Sequence, residues 1–340
     1  MIFEKRELKA CSGAILAHNI SDRHGKRILR KGIVLTKHEL RLLQDSGRTF
    51  VYVAELEPGD LGEAEAARRT AELVHGNNIQ LVGAATGRTN LLAERAGVLQ
   101  INVNRLDELN KLPGVTISTL RSPSVVPDRQ MVASIKIIPY GISTDTMTAI
   151  ENLAGREPIV AILPLEPKHV DLILLGGAPI LEKIEADFRQ PLEERVRALG
   201  SEIEEIHKIA TDCDDPIQLI ADGLMRIADR QVDLLIMAGE TAIMDPRDVI
   251  PIAIGLAGGY VETTGAPVDP GNLLMLAYID NLPILGAPGC ARSLKENVVD
   301  WVLPRLLSGE HLTRSDITHL GHGGLLEDIK ERPFPRAMAG

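Results

Sequence analysis

VDLILLGGAPILEKIEADFRQPLEERVRALGSEIEEIHKIATDCDDPIQLIADGLMRIADRQVDLLIMAG, residues 170–239, is the stretch that decides the fold. An apolar run over 170–175 passes through Gly176-Gly177 into a segment whose Ile180, Ile184, Phe188, Leu192, Val196 and Leu199 recur at helical spacing. Pro191 lies inside that segment and is expected to kink the helix. A strand over 203–206 follows, then a helix opened by Asp215-Pro216 and running to about Asp229, then the strand VDLLIM. This alternation predicts a largely parallel sheet covered on both faces. Downstream, a helix opened by Asp245-Pro246 and strands around 273–276 and 283–285 continue the pattern. A long final helix is expected from near Ala291, with Leu294, Val298, Trp301 and Val302 on one side. Upstream, the apolar run 158–163 reads as part of the same region.

Three parts are expected: a small β-rich module over 1–75, a mixed α+β region over 76–155, and an α/β domain over 156–340. In the first, Thr36 with Glu39 makes a capping-box signature, and Gly47 is placed to end the short helix it opens. A second helix is expected over 62–74. In the middle region, strand-like pieces at 98–103, 115–119 and 131–138 are separated by Gly, Asn and Pro clusters.

Aromatic residues make up 3% of the 340 residues and the net charge is −10, which argues against base-stacking platforms and nucleic-acid binding. An anionic ligand would need positive groups concentrated locally, because the global field repels it. Cys11, Cys213 and Cys290 form no CxxC, which reads as a reducing compartment. No signal-peptide core or membrane span is visible, so cytoplasm is the expected location.

Ligands of open α/β sheets bind beyond the carboxyl ends of the strands, and three loops fall there. In Leu174–Pro179, Gly176 and Gly177 allow close backbone approach to a ligand or simply make a tight turn. In Met237–Asp248, Gly239, Glu240 and Thr241 precede Asp245 and Asp248, carboxylates that could hold Mg²⁺ with Glu240. The plainer reading is a helix start, with Asp245 as N-cap and Pro246 first. In Gly286–Ser293, Gly286, Pro288 and Gly289 precede Cys290, Arg292 and Ser293. Amides at a helix start beside that guanidinium make a candidate phosphate cradle, though Gly-rich turns are common. Cys290 reads as a small packed residue. His319 and His322 form an HxxH pair in a Gly-rich setting that favours a loop over a zinc helix.

Taken in this order, with DVIPIAI, GAPVDPGNLLMLAYIDNLPILGAPGCARS, DWVLPRLLSG and HGGLLEDIKERPFPR, the chain resembles the molybdopterin-binding fold of molybdopterin adenylyltransferases and molybdenumtransferases. It is most similar to bacterial molybdopterin-binding proteins that are sometimes joined to a molybdenum cofactor cytidylyltransferase domain. GAILAHNI, KGIVLT, GRTNLLAERAGVL and MVASIKIIPYGI extend the similarity to the front. The resemblance implies an α/β C-terminal three-layer domain with a mostly parallel sheet, preceded by a β-rich α+β region. It also implies a metal-assisting role for Asp245 or Asp248, phosphate contact by Gly286–Ser293, and a place at the mouth for Asp269, Pro270, Gly271 and Asn272. Met237-Ala238-Gly239-Glu240 departs from the family's paired glycines and Ser, which weakens the case for adenylyl transfer or molybdate insertion.

The first expectation is a protein that binds molybdopterin or molybdenum cofactor for a cytidylyltransferase or a molybdoenzyme. The alternative is a Mg²⁺-dependent molybdotransferase acting on adenylylated molybdopterin. A weaker one is a nucleotide pyrophosphatase of the competence-damage type. Family likeness further implies a homodimer. No LAAGxSxRMG-type loop is present, so CMP transfer by this chain is not expected.

Overall fold

The computed structural model describes residues 1–84 and 87–326. The motif segment from Glu327 to Arg336 lies outside the described residues. The chain divides into two compact units, Met1–Leu163 and Pro164–Gly340.

The first unit begins with an antiparallel sheet in which Phe50–Glu55 lies between Ile2–Glu7 and Ile15–Leu16. Alternate residues Val51 and Val53 point into a small core with Leu16, Leu35 and Leu43. Thr36 and Glu39 form the full capping box at the start of Lys37–Asp45, and Gly47 takes φ +79° just past its end. Next, helix Glu63–Val74 lays Ala66, Ala67, Ala71 and Val74 into a core shared with an antiparallel sheet ordered Val115–Thr119, Met131–Ile137, Arg88–Ala93, Ile79–Ala84. The apolar run near 160 belongs here as well. Val160–Pro164 is the neighbour of Gly97–Ile101 in a separate three-stranded sheet. A side chain at Gly97 would stand 2.3 Å from the Leu163 carbonyl oxygen, so only glycine permits that approach. An apolar run specifies burial but not its pairing partner, which is why the sequence pattern assigns it to the other unit.

The second unit is built on a six-stranded mixed sheet. In chain order its elements are β1 (His169–Gly176), α1 (Leu181–Ala198), β2 (Glu202–Ala210), α2 (Pro216–Ala228), β3 (Leu234–Gly239), α3 (Val249–Leu256), β4 (Tyr260–Thr264), β5 (Met275–Ile279), β6 (Leu282–Gly286), α4 (Val298–Leu307) and α5 (Arg314–Thr318). The sheet order is β2-β1-β3-β6-β5-β4. β2, β1, β3 and β6 pair in parallel, whereas β5 runs antiparallel to both β6 and β4. Leu172, Leu174, Leu234 and Ile236 share one cluster with Ile184, Phe188, Leu192 and Val196 of α1 and with Val298 and Val302 of α4. Their neighbours Ile173, Leu175, Leu235 and Met237 share the other with Ile220 and Leu224 of α2 and Ile254 of α3. Burial on both faces makes these strands continuous apolar runs. Each such side chain contributes roughly 1.5–3 kcal/mol.

α1 extends from Leu181 to Ala198 with Pro191 inside it. Two sequence expectations change. Asp245-Pro246 does not open α3, because Asp248 is its N-cap and accepts from the Val249 amide at 2.7 Å. The closing helix does not begin near Ala291. Gly289–Arg292 is one 3₁₀ turn, and α4 starts at Val298, where Asn297 and Asp300 form a capping box. Leu294 precedes the helix and is exposed. The structure also adds strand β4, over Tyr260–Thr264, to those expected from the apolar runs.

Candidate functional site

β1 and β3 are adjacent and parallel, so their carboxyl ends open together, with the start of α3 close by. There lies a cavity of about 190 Å³, lined by Leu175 and Gly176 at the end of β1, Thr211 after β2, Gly239–Ile243 from the last residue of β3 onward, and Asp248–Ile250 at the start of α3. This is where open α/β sheets hold ligands. Gly176, Gly239, Glu240, Thr241 and Asp248, which come from two separate loops, thus line one space. Gly176 is a packing requirement as well, since a side chain there would stand 2.4 Å from Ile184.

Several amides near the cavity already have partners. Glu240 donates to the Leu175 carbonyl at 3.0 Å, Thr211 to Gly176 at 2.9 Å and Ala287 to Met237 at 2.8 Å. At the turn after Gly177, the Ala178 amide donates to the Asp212 carboxylate at 3.0 Å. The protein therefore supplies an anion of its own at that turn, a role for Asp212 that local sequence does not announce.

Asp245 and Asp248 serve their own turn. Asp245 accepts the Arg247 amide and Nε, both at 2.8 Å, and Nη2 at 3.0 Å. This guanidinium holds the Asp245 carboxyl below its ordinary range. Asp248 lines the cavity while capping α3, and Asp245 is not among the lining residues. Glu240, Asp245 and Asp248 do not converge as a ligand trio. Among the described residues, the three-membered group of converging metal-ligating side chains is Asp171, Glu205 and His207, on β1 and β2.

The Gly286–Ser293 loop lies beside this end of the sheet, since Gly286 is paired with Met237 of β3. Arg292 spans the gap: its guanidinium lies 4.7 Å from the Phe188 ring and donates to the Gly239 carbonyl at 3.4 Å. Because α4 begins six residues later, Arg292 and Ser293 sit in a connection and not at a long helix N-terminus. Burial pushes the Cys290 thiol up, away from thiolate reactivity.

What fixes this loop is Arg195 of α1, which sequence reasoning missed. Its buried guanidinium donates to the carbonyls of Ala291 (3.3 Å), Ser293 (2.8 Å) and Lys295 (3.1 Å), and to Asp300 Oδ1 at 2.8 Å. Asp300 in turn accepts the Asn297 amide at 2.9 Å. One cation thus ties α1, the loop and the start of α4 into a single charge-assisted network.

Asp269, Pro270, Gly271 and Asn272 lie against the start of α4. The Val298 amide donates to the Pro270 carbonyl at 3.1 Å, and Asp269 exchanges backbone bonds with Gly324 and Leu326 at 2.8 Å each. None of the four lines the cavity. His319 opens a 3₁₀ turn and His322 follows it, and neither joins a metal-ligating group among the described residues.

Residues 6–55 match the model of a family described as Domain of unknown function (DUF8806). No curated protein matches the sequence. Among solved structures, the chain is similar to a molybdenum cofactor biosynthesis protein from Pyrococcus furiosus, at 12% identity and TM-score 0.23, over 91% of this chain and 64% of that one. It is likewise similar to a molybdopterin biosynthesis moea protein from Pyrococcus horikosii, at 12% identity and TM-score 0.30, over 91% of this chain and 75% of that one. The chain therefore spans less than two thirds of the first protein's length. Likenesses at this level leave the activity of this chain to be argued from its own residues.

Proposed function

We propose that the second unit binds a phosphorylated pterin of the molybdenum-cofactor pathway at the carboxyl ends of β1 and β3, holding it for a partner enzyme. The observation that carries this reading is the cavity that brings Gly176 and Gly239–Ile243 together from separate loops. Its 190 Å³ is below the roughly 300 Å³ of a site that encloses a whole drug-sized ligand. It therefore takes one end of the molecule, while the remainder extends over the surface beside Arg292. Glu240 and Asp248 at the cavity, with Asp212 close by, repel a bare phosphate, which points the phosphate toward the Arg292 side.

Anaerobic titration with molybdopterin, read by pterin fluorescence, tests this. Ala242→Phe fills the cavity and is expected to weaken binding at least about tenfold, ~1.4 kcal/mol, with the circular dichroism unchanged. Equal affinity in the variant and the parent would remove the cavity from the account.

A second reading rests on the same carboxylates. Asp248 and Glu240 could recruit Mg²⁺ with a phosphate ligand, making the protein a molybdotransferase. Release of AMP from adenylylated molybdopterin that needs both molybdate and Mg²⁺, and is lost in Asp248→Asn, would select it over simple binding.

A further inference from the structure

Asp171 is an outlier in its own strand. Val170, Leu172, Ile173 and Leu174 around it are wholly buried apolar residues, and the Asp171 side chain is only 2% exposed. Burying a carboxylate costs several kcal/mol even after relaxation, and an apolar residue there would spare the strand that cost. The β1–β2 register also shifts at this point: Val170 pairs with Ile203, but Asp171 pairs with Glu205. Such irregularities re-aim side chains. Glu205 and His207, two apart on β2, consequently converge with Asp171. His207 Nε2 is 2.8 Å from Asp171 Oδ2 and 3.6 Å from Glu205 Oε2.

The geometry points to a transition-metal site, with Zn²⁺ as its best match, held by Asp171, Glu205 and His207. All three donor atoms lie within 4.8 Å of one another. At the 2.8 and 3.6 Å separations, an ion about 2.1 Å from His207 and a carboxylate would make angles of roughly 80° and roughly 120°, on either side of the tetrahedral value, so the side chains have to shift by about half an ångström to close on it. One imidazole and two carboxylates suit a borderline ion, and three protein ligands leave a position for water. Arg230 now supplies the positive charge: its guanidinium contacts Glu205, and Nη1 is 3.8 Å from Asp171 Oδ2. It is half exposed and lies just past the end of α2, so it can turn outward when the ion enters. Asp171 stands four residues before Leu175, so the site is roughly 13 Å along β1 from the pterin cavity and independent of that reading.

Isothermal titration of chelator-stripped protein with ZnCl₂, alone, tests the site. The expected result is one ion per chain, bound at least about tenfold more weakly in His207→Ala and in the half-exposed Glu205→Gln. Arg230→Gln is expected to bind more tightly, because the competing cation is gone. The Co²⁺-loaded protein should show ligand-field bands without a thiolate charge-transfer band. Overturning results are absence of saturable binding, affinity unchanged in His207→Ala with folded circular dichroism, or a thiolate band, which would put the ion on a cysteine. In each of those cases the trio is an ion-pair network completed by Arg230.

Discussion

Gly271 adopts φ +137°, and a side chain there would stand 2.3 Å from Val298 Cγ1 and 3.0 Å from its amide nitrogen. Gly271→Ala combines backbone strain with a clash against the first residue of α4, and is expected to destabilise by roughly 2–4 kcal/mol, measured by urea denaturation. A loss under about 0.5 kcal/mol would mean that the helix start adapts freely. Arg195 gives a second residue-scale prediction. Arg195→Met leaves three loop carbonyls and Asp300 without their donor, at an expected cost of about 3–5 kcal/mol. The amides of residues 291–297 should exchange hydrogen faster than those of β1. Asp316 sets an acid limb. Burial alone would raise its carboxyl, but bonds from the Thr313 hydroxyl and amide, with Arg305 alongside, outweigh that and hold it below its ordinary 3.8. A depressed carboxyl stabilises the fold above its unfolded value, and that stabilisation is lost as pH falls through the folded one. Below about pH 4, Asp316→Asn should therefore show a flatter decline of unfolding free energy than the parent.

At the scale of elements, α4 depends on its cap. Asn297 accepts the Val299 amide at 3.0 Å, and Asp300 closes the box. Asn297→Ala should cost about 1 kcal/mol, read as a lowered melting temperature. The boundary of α4 also shows what sequence can and cannot disclose. β1 and β3 are legible because strands buried on both faces are near-continuous apolar runs, and α1 and α2 because their apolar residues repeat about every 3.6 positions. The edge strand β2, EIEEIHKIA, shows only as a short piece between the helices. The starts of α3 and α4 are misplaced by sequence because Asp-Pro and Gly-rich turns resemble caps wherever they occur. Only the tertiary structure shows that Asp248 and Asn297 cap instead. The position of Gly176 and Gly239 at strand ends, beside a cavity, is legible from the sequence pattern alone. Arg195 is not, since the carbonyl of Ser293 is 98 residues distant. Asp171 and His207, 36 residues apart, are hidden in the same way.

Across the whole molecule, the acidic excess is unevenly spread. Residues 1–163 hold 21 Lys and Arg against 18 Asp and Glu, while residues 164–340 hold 16 against 29. A phosphorylated ligand approaching the second unit therefore meets net repulsion, relieved only locally by Arg292. Without divalent cations, its association rate should rise as ionic strength increases from about 20 to about 200 mM, because salt screens repulsion over roughly 10 Å. A rate that falls with salt would mean attractive steering dominates. Among the described residues, no helix is long and apolar enough to cross a membrane.

A crystal structure grown anaerobically with molybdopterin would show where the ligand sits. One end of it is expected among Gly176 and Gly239–Ile243, with its phosphate on the Arg292 side. Ligand bound elsewhere, with that space empty, would contradict the proposed site.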